Sequence, residues 1–527
     1  MTKTIELVLS PEEAYNEKLF PSILRSKLHL RQADDRVIQP IKRSIDARGR
    51  KTVIRMLVQI ASRDELKVKS PIQDAYRDVR NADSVIIVGA GPAGLFAALR
   101  LIELGIKPIV IERGKDVRSR RRDLAAINKE HIVNPESNYC FGEGGAGTYS
   151  DGKLYTRSKK RGDVKRILEI LVAHGAKEDI LFDAHPHIGT NKLPSVVSSL
   201  RKSILDAGGE IHFETKLVDL VIEGDRIKGI ITQSGEQIKS DSIVLATGHS
   251  ARDIYELLDK KKILIEAKPF ALGVRVEHSQ LLIDQIQYHC EARDPYLPAS
   301  SYALVHQSKV NGVEHGVFSF CMCPGGFIVP SATAPGEVVV NGMSPSRRDS
   351  KFANSGIVMA VDGNRFKTFE KHGPLAGMYF QKEIEQKACT IAGGTQKAPA
   401  QRLVDFVNGK FSSQLLETSY QPGLTTVNMD EVLPAFLVEG LKQGFKNFGN
   451  KMKGYLTNDA QVVGVESRTS SPVRIPRDKA TLEHPTLKGL FPSGEGAGYA
   501  GGIVSAAMDG ERCAEAAVKL YFEKEIK

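Results

Sequence analysis

With 527 residues, the chain is long enough for roughly two to four domains, each with a hydrophobic core. Its 41% hydrophobic and 26% charged residues are typical of a soluble globular protein, and no apolar run approaches the ~18 residues that a membrane-spanning helix needs. The N-terminal residues do not resemble a signal peptide, and the six cysteines show neither a C-x-x-C pair nor zinc-ligand spacing. We therefore expect a reduced, cytoplasmic protein with no membrane partner and no metal site.

Residues 1–80 are predicted to form a small, basic α/β domain that ends in a linker over 64–80. The predicted strands are 4–9, 37–41 and 52–60, and Ser10, Pro11 and Glu13 have the capping-box pattern of a helix start. This segment has 17 basic and 11 acidic residues, so it carries six of the ten excess positive charges. Such a lobe, with its basic turn 43–50, either binds nucleic acid or an acidic partner, or is a solvated surface. We favour the solvated surface because few aromatic residues are interspersed, and nucleic-acid binding by residues 1–80 stays open.

Residues 84–114 are typical of a dinucleotide-binding unit. Residues 85–88 are β-branched, as in a strand buried on both faces. They are followed by a G-x-G-x-x-G turn whose glycines are Gly89, Gly91 and Gly94. These glycines allow a tight turn, close approach of a pyrophosphate to the backbone, and close helix packing, and the positive end of the helix faces the phosphates. A second strand, 108–111, ends at Glu112, where a carboxylate can accept hydrogen bonds from ribose hydroxyls.

A second glycine cluster, residues 142–153, follows a basic helix start. The residues before it, 134–140, do not resemble a strand, so this cluster is not a second dinucleotide turn. Its small residues favour a backbone that wraps closely around a ligand or another segment over a flexible surface loop. The basic helix start either reaches phosphates or faces water, and its arginines are Arg118, Arg120, Arg121 and Arg122.

Residues 193–249 are predicted to complete the sheet that holds the nucleotide. A helix over 193–207 leads through two glycines to a strand over 210–214. Further strands that continue this sheet are predicted over 215–222, 227–232 and 242–245. The last strand leads directly into Ala246-Thr247-Gly248-His249.

Beyond residue 265 the pattern changes, and residues 266–475 are predicted to be an inserted domain, an antiparallel sheet with helices. Its predicted strands are 271–278, 317–323, 327–330, 338–341 and 461–466. The remaining segments, 81–265 and 476–527, then form one discontinuous domain.

The C-terminal segment returns to a strand–glycine–helix pattern. A strand over 487–492 precedes Gly494, Glu495 and a third glycine cluster, and a helix runs from Ile503 to about residue 522. Because no strand follows this helix, the cluster cannot complete a second dinucleotide unit. It directs a helix N-terminus towards a ligand that the first unit already holds, and Glu495 can contact a polyol hydroxyl or the phosphates.

Together, the 84–114 unit, the Ala246-Thr247-Gly248 strand end and the C-terminal unit resemble the FAD-binding fold of the glutathione-reductase-like superfamily. Finer motifs are similar to those of the uncharacterised FAD-dependent dehydrogenase family, namely FGEGGAGTYSDGKL, ATGHSARD, CMCPGG, ESRTSSPVRI and SGEGAGYAGGIVSAAMDG. The resemblance covers nearly the whole chain. It implies an α/β fold with a discontinuous Rossmann-like FAD-binding domain, an inserted mixed α+β substrate domain and a small N-terminal α/β domain.

The resemblance implies FAD as the cofactor. Adenosine would lie near Glu112 and Arg113, and the pyrophosphate near Gly91 and Gly94. The flavin would lie between the 142–148 loop and the helix that begins at Ile503, whose dipole favours flavin reduction. The superfamily usually has Asp at the position of Glu495. The implied FAD-binding residues are Gly89, Gly91, Pro92, Ala93, Gly94, Glu112, Arg113, Gly144, Gly145, Gly147, Thr148, Leu217, Thr247, Gly248, Gly494, Glu495, Gly501, Gly502 and Ile503.

The sequence does not assign catalytic residues, but it offers candidates. His249, Arg252 and Asp253 follow the Ala-Thr-Gly motif and could act as acid, anion binder and partner, or have only a structural role. The same two alternatives apply to Lys153, beside the second glycine cluster.

Cys321 and Cys323 are further candidates. Because residues two apart on a strand face the same way, both thiols could line one site and form a reducible disulfide, or they could be small buried hydrophobic residues. The C-x-x-x-x-C disulfide and the second complete dinucleotide unit of glutathione-reductase relatives are absent from the sequence. Any NAD(P)H that serves as reductant would therefore dock without its own domain.

We therefore predict an FAD-dependent oxidoreductase that transfers a hydride between flavin N5 and an unidentified small organic substrate held by residues 266–475. Two alternatives stay open. One is a flavin-dependent RNA-modifying enzyme that uses the basic N-terminal domain, and the other is a non-enzymatic FAD-binding redox sensor.

Overall fold

The computed structural model describes residues 2–31, 34–62, 72–156 and 162–525. The strands in these ranges are β1 (Lys3–Leu9), β2 (Val37–Asp46), β3 (Val53–Ala61), β4 (Ser84–Val88), β5 (Lys107–Ile111), β6 (Glu210–His212), β7 (Leu217–Glu223), β8 (Arg226–Thr232), β9 (Gln237–Lys239), β10 (Ile243–Leu245), β11 (Glu266–Ala267), β12 (Phe270–Ser279), β13 (Val305–Val310), β14 (Val313–Cys323), β15 (Phe327–Pro330), β16 (Val340–Met343), β17 (Phe352–Val361), β18 (Ala398–Arg402), β19 (Leu424–Thr426), β20 (Gln461–Glu466), β21 (Val473–Arg474) and β22 (Leu490–Pro492). The helices are α1 (Pro11–Tyr15), α2 (Phe20–Lys27), α3 (Pro92–Glu103), α4 (Arg120–Lys129), α5 (Val164–Ala173), α6 (Leu193–Asp206), α7 (Arg252–Lys260), α8 (Gln280–Tyr288), α9 (Ala376–Ile391), α10 (Leu403–Asn408), α11 (Ala435–Lys451) and α12 (Ile503–Glu525). Among the helices described, none is both long enough and apolar enough to cross a bilayer.

The N-terminal region is a three-stranded antiparallel sheet in the order β1-β3-β2, with α1 and α2. The predicted capping box is confirmed: the Glu13 N–H donates to Ser10 Oγ at 3.2 Å, and the Ser10 N–H donates to Glu13 Oε2 at 2.8 Å. The predicted linker lies partly outside the described residues, and its described part contains a short 3-10 helix, Ile72–Ala75.

The prediction of a basic turn over 43–50 is wrong at its start. β2 continues to Asp46, and Arg43 is buried within it. The Arg43 guanidinium contacts Asp183 at 2.6 Å, beyond the N-terminal region, and lies over the Tyr15 ring. Asp183 and the Tyr15 ring together stabilise the buried guanidinium of Arg43 within the strand. A count of charges along the sequence does not reveal such partners.

A five-stranded parallel sheet in the order β22-β10-β4-β5-β6 forms the centre of the second region. The C-terminal strand β22 thus joins the same sheet as the first glycine unit, as the discontinuous domain requires. α12 packs directly on α3, since a Cβ built on Gly510 would lie 2.0 Å from the Ala93 carbonyl oxygen.

The prediction that residues 215–232 continue this sheet is wrong. β7, β8 and the unpredicted β9 form a separate three-stranded antiparallel sheet, and only β10 enters the parallel sheet. Only Leu217 and Leu220 of β7 are buried and its other residues are partly or fully exposed, whereas β10 is buried throughout. That difference in burial is typical of an antiparallel sheet with one solvated face beside a parallel sheet covered on both faces.

The region over 266–475 contains a seven-stranded sheet in the order β13-β14-β17-β12-β20-β18-β19. The predicted antiparallel arrangement is wrong for one pair, because β18 and β19 are parallel. β11 pairs with β21 where the chain enters and leaves this region. The pattern also missed β17, whose Asn354, Ser355 and Gly356 are typical of a turn. They lie in a buried strand because Asn354 accepts a hydrogen bond from Arg275 at 2.8 Å.

Candidate cofactor-binding and active site

A cavity lies between the carboxyl ends of the parallel strands and the region over 266–475, and all three glycine clusters contribute to its wall. The far wall contains Phe320, Cys321, Asn341, Arg468 and Thr469. All but three of the residues predicted to bind FAD line this cavity. The residues that do so are Gly89, Gly91, Pro92, Ala93, Glu112, Arg113, Gly145, Gly147, Leu217, Thr247, Gly248, Gly494, Glu495, Gly501, Gly502 and Ile503.

The remaining three, Gly94, Gly144 and Thr148, support the wall from behind. A Cβ on Gly94 would lie 1.8 Å from the Gly89 carbonyl oxygen, so this glycine allows α3 to pack on the turn. Gly144 has a φ of +75°, a left-handed conformation that favours glycine. The Thr148 hydroxyl donates to the carbonyl oxygen of Glu143 at 2.8 Å, which fixes the loop internally.

The glycine clusters contact one another and leave open space between them. A Cβ on Gly145 would lie 3.3 Å from Gly91 Cα, and a Cβ on Gly147 would lie 3.2 Å from Ile503 Cγ1. A Cβ on Gly91 itself would meet only Gly145 Cα, at 4.0 Å. Added Cβ atoms would meet nothing within 4 Å at three further lining positions, Gly248, Gly501 and Gly502. A ligand can therefore approach the main chain closely at these positions.

Two helices begin at this cavity. α3 starts at Pro92, after an N-cap glycine whose extended backbone carries no capping side chain. α12 starts at Ile503, and its residues Ile503 and Ala506 also line the cavity. The positive ends of two helix dipoles therefore face one space, which favours an anionic group such as a pyrophosphate.

Glu112 connects three segments of the wall. Its carboxylate accepts backbone N–H groups from Ala90, Gly114 and Gly142, each at 2.9 Å. A carboxylate has about four acceptor positions, so one stays available for a ribose hydroxyl. Glu112 thus holds the backbone at Ala90, Gly114 and Gly142 in place. Its contact with a ribose hydroxyl stays a prediction.

Arg113 and Asp253 form an ion pair at this edge of the cavity. Arg113 contacts Asp253 at 2.9 Å and Glu136 at 2.6 Å, and its guanidinium lies 4.3 Å from the centre of the Phe141 ring. These carboxylates keep Arg113 in a fixed position beside the cavity. The contact gives Asp253 a structural role, which was one of the two alternatives that the sequence offered for it.

Arg120 is a scaffold residue that sequence reasoning missed. Neither alternative for the basic helix start describes it, because it is fully buried and faces neither water nor the cavity. Its guanidinium donates to the carbonyl oxygens of Asn138, Glu143 and Gly145 at 2.7–3.0 Å. It also lies over the Tyr149 ring, so one side chain orders the second glycine cluster. A sequence signal for this role existed only in the nearness of the basic run to that cluster.

His249 and Glu495 form the polar centre of the cavity. His249 Nε2 lies 3.7 Å from Glu495 Oε2, and His249 Nδ1 lies 2.9 Å from the Ser250 hydroxyl. Burial, aided by Arg468 and Arg252, lowers the pKa of His249 to about 4, so the ring is neutral near pH 7. Burial and the nearby Cys321 raise the pKa of Glu495 to about 7, against the effect of Lys268. Glu495 can therefore gain or lose a proton near neutral pH.

The structure brings together Lys153, Cys321 and Cys323, which the sequence offered only as separate candidates. Lys153 Nζ lies 3.8 Å from Cys321 Sγ and 3.7 Å from Cys323 Sγ, and it pairs with Asp151 at 2.9 Å. Lys153 and Cys321 line the cavity, whereas Cys323 is buried behind them.

A buried ion network, which sequence reasoning also missed, joins the two regions behind His249. Arg252 contacts Glu337 at 3.1 Å and Glu385 at 2.9 Å, and Arg468 contacts each of the same carboxylates at 2.8 Å. Two arginines therefore balance two glutamates. Arg252 is occupied by these carboxylates, which makes its role structural rather than that of a free anion binder. Its only sequence signal was its place in the ATGHSARD motif.

Comparisons with known families match three parts of the chain. A model described as FAD-dependent protein, C-terminal domain-like, matches residues 269–469. A model described as pyridine nucleotide-disulphide oxidoreductase matches residues 83–254, and a domain of unknown function matches residues 1–61.

Individual relatives differ widely in how much of the chain they match. An uncharacterised protein of Clostridium beijerinckii is 41% identical over 512 residues, covering 94% of this chain and 95% of that protein. A thiamine thiazole synthase of Methanococcus maripaludis is 29% identical over 38% of this chain and 70% of its own length. Among solved structures, the glycerol-3-phosphate dehydrogenase from Bacillus halodurans complexed with FAD is 12% identical, with a TM-score of 0.35, over 84% of this chain and 66% of that chain.

Proposed function

The chain belongs to the FAD-dependent oxidoreductase family that includes the Clostridium beijerinckii protein, and from that premise we propose that it transfers a hydride between flavin N5 and an organic substrate held by residues 266–475. The observation that carries the proposal is the convergence of three glycine clusters on one cavity whose far wall belongs to the region over 266–475. A substrate held by residues 266–475 would then lie beside the part of the cofactor that reacts.

The residues of the cavity fit FAD. Glu112 and Arg113 would hold the adenosine end, and the open backbone at Gly91, together with the N-terminus of α3, would hold the pyrophosphate. Gly145 and the start of α12 at Ile503 would contact the flavin. Bound FAD supplies the two-electron hydride chemistry that the protein itself lacks.

Glu495 is the residue of this chain that we propose handles the accompanying proton. Oxidation or reduction of an organic substrate by hydride transfer needs a nearby group to take up or supply a proton. Glu495 lines the cavity, and its pKa of about 7 suits both directions. The neutral His249 ring lies beside this carboxyl group, at 3.7 Å, which is longer than a hydrogen bond.

The cofactor proposal is tested by flavin content. We expect the purified protein to have flavin absorption and to release FAD on denaturation. Gly91→Val places a side chain in the open space of the cavity and should remove FAD while the circular dichroism stays unchanged. Gly363→Val, where an added Cβ also meets nothing within 4 Å but which does not line the cavity, should keep FAD. A colourless wild-type protein contradicts the proposal.

The catalytic proposal is tested by anaerobic reduction. Flavin reduced by light is expected to reoxidise promptly with one class of organic acceptor, and NADH and NADPH are included as candidate reductants. In Glu495→Gln the rate of that step should fall about 100-fold, within the range for loss of a general acid or base, and lose its dependence on pH near 7. A flavin that exchanges electrons with no organic compound favours the redox-sensor alternative.

A further inference from the structure

Cys321 and Cys323 lie at a bend in β14. The pairing of β14 with β17 shifts register between Phe320 and Cys323, and Cys321 has a left-handed φ of +45°. A non-glycine residue in this conformation within a strand is rare, and such residues cluster at functional sites. In a regular strand, residues two apart have Cα atoms about 6.8 Å apart, at the upper limit for a disulfide. The bend directs both sulfur atoms towards Lys153 Nζ, at 3.8 and 3.7 Å.

The charges beside the two sulfur atoms favour a thiolate at Cys321. Asp151 accepts hydrogen bonds from Lys153 at 2.9 Å and from Arg348 at 2.7 and 3.2 Å, so two cations face one carboxylate. One positive charge is left over next to the thiols. The neighbouring Cys323 thiol and Lys153 lower the pKa of Cys321 well below its usual value, against the effect of burial. Cys321 and burial raise the pKa of Cys323, whose thiol donates to the Cys321 carbonyl oxygen at 3.2 Å.

Of the other charged groups near Cys321, Arg275 and Glu466 compensate each other, and Glu495, whose pKa is about 7, is partly neutral at neutral pH. Arg275 donates to the carbonyl oxygen of Cys321 at 3.3 Å and contacts Glu466 at 2.6 Å. Because both members of this pair are fully buried and matched, they fix the bend without removing the excess positive charge at Lys153.

Cys321 and Lys153 lie between two cavities. Both line the cofactor cavity, and both also line a second cavity next to it. The wall of the second cavity includes His185, His289, Lys451, Lys453, Tyr302 and Met322. None of the described residues that line it is acidic, so it favours an anionic molecule. Such a molecule can approach Cys321 Sγ without entering the cofactor cavity.

We propose that Cys321 and Cys323 are a redox-active dithiol that exchanges with an anionic, low-molecular-weight disulfide bound in the second cavity. The Cys321 thiolate attacks one sulfur of the substrate disulfide, breaks its S–S bond and releases one thiolate. Cys323 then attacks the Cys321 sulfur of the mixed disulfide, and its proton goes to the second thiolate released. The protein dithiol loses two electrons and the substrate gains two. The inference rests on the proposed function, whose two-electron chemistry must return the pair to the dithiol.

A redox titration of the holoenzyme tests the pair directly. The protein is equilibrated with oxidised and reduced dithiothreitol in varying ratio, quenched with acid, alkylated with N-ethylmaleimide and digested with trypsin. Cleavage after Lys309 and Arg347 places both cysteines in one peptide with no other cysteine. We expect an unalkylated, internally bonded form of this peptide to replace the doubly alkylated form as the ratio rises, while Cys290 stays alkylated. A peptide that stays doubly alkylated at every ratio overturns the proposal.

A second measurement tests the thiolate. In the reduced holoenzyme at pH 6, iodoacetamide should modify Cys321 about tenfold faster than in Lys153→Met. A tenfold ratio is what a difference of about one unit in the pKa of Cys321 produces. Lys451→Met is the matched control, because Lys451 lines the same cavity but donates to the Val305 carbonyl oxygen, and its rate should equal the wild-type rate. Equal rates in all three proteins contradict an activated Cys321.

Flavin absorption, measured on each preparation, separates the two proposals. Bound flavin together with a peptide that never oxidises overturns the dithiol and leaves the proposed function standing. Oxidation of the peptide in a protein without flavin supports the dithiol and contradicts the proposed function.

Discussion

Gly94 belongs to the first glycine cluster and Gly501 to the third, and their surroundings differ. A Cβ on Gly94 would lie 1.8 Å from the Gly89 carbonyl oxygen, whereas a Cβ on Gly501 meets nothing within 4 Å. Gly94→Ala must push α3 away from its turn and should lower the free energy of unfolding by about 3 kcal/mol. Gly501→Ala should change that free energy by less than about 0.5 kcal/mol and affect only FAD content. Urea unfolding measures the first effect and flavin absorption the second. Equal stability of the two variants contradicts this assignment.

The carboxyl group of Glu495 should give the protein a pH-dependent stability. Its pKa is about 7 in the folded protein, against an ordinary value of 4.5, so the folded state holds an extra proton between these pH values. Ionisation of Glu495 therefore lowers the free energy of unfolding as pH rises from about 4.5 to 7. The total decrease is on the order of 3 kcal/mol. Glu495→Gln removes this titration. The unfolding free energy of the variant minus that of the wild type should increase between pH 5 and 7.5, measured with urea.

His249 provides the comparison with opposite sign. Its pKa falls from 6.5 to about 4 on folding, so the unfolded state binds more protons, and this contribution stabilises the protein as pH rises from about 4 to 6.5. In His249→Gln, the variant-minus-wild-type difference should decrease over that range. The same slope for both variants contradicts these two pKa shifts.

At the scale of single residues, the sequence predicts those whose role follows from backbone geometry. Gly89, Gly91 and Glu112 occupy the places that a strand–turn–helix unit requires, and the structure places all of them at the cavity. Arg120 and Arg468 could not be predicted, because a buried guanidinium depends on carbonyl oxygens and carboxylates contributed by other segments. The sequence alone does not state which of those segments come together.

At the scale of elements, the attachment of α12 to the parallel sheet depends on a buried ion pair. Asp509 accepts two hydrogen bonds from Arg477, at 2.6 and 3.0 Å, and one from the Gly494 N–H at 2.9 Å. Arg477 also lies over the Tyr499 ring. Asp509→Ala leaves a buried guanidinium without its carboxylate and should cost about 3 kcal/mol of unfolding free energy, together with bound FAD.

The matched control lies on the same helix. Glu515 contacts Arg100 at 2.9 Å, and its side chain is 43% exposed. Because solvent screens this pair, Glu515→Gln should cost less than about 1 kcal/mol. Both values are obtained from urea unfolding, and a loss of similar size in the two variants contradicts a special role for the buried pair.

The sequence predicts individual elements better than it predicts their partners. The bounds of β15 and β20 agree with the predicted ones, because each holds a short apolar run that glycine or polar residues bound. β18 and β19 were missed, and their parallel pairing depends on the chain returning through α10 and the loop that follows it. A local pattern of apolar residues does not contain that long-range information.

At the scale of the whole molecule, the N-terminal region is attached to the rest through β2. The backbone N–H of Arg43 donates to the Phe182 carbonyl oxygen at 2.7 Å, and the Ala184 N–H donates to the Arg43 carbonyl oxygen at 2.9 Å. Tyr288 and Leu297 of the region over 266–475 also join the N-terminal core. The contact with both regions explains how a small sheet is held beside the cavity-forming parts of the chain.

The basic charge of this region is partly neutralised within it. Arg48 and Arg55 both contact Asp46, at 2.7 and 2.8 Å, and Arg36 contacts Asp34 at 2.6 Å. Nucleic-acid binding by residues 1–80 stays an open alternative to the solvated surface that the sequence favours. RNA binding that weakens with salt and disappears on deletion of residues 1–80 would support it.

The attachment through Arg43 leads to a prediction about the whole molecule. Arg43 is buried and contacts Asp183 at 2.6 Å and Asp179 at 3.0 Å, whereas Arg48, on the same hairpin, is 84% exposed. Arg43→Met should weaken the attachment of the N-terminal region to the rest of the protein by about 2 kcal/mol. Loss of a fully buried ion pair would cost more, but here the two carboxylates become hydrated again. Hydrogen exchange should then become about 30-fold faster in β2 and residues 179–184 and stay unchanged in β4. Arg48→Met should leave exchange unchanged everywhere. If both variants exchange like the wild type, Arg43 does not hold the N-terminal region in place.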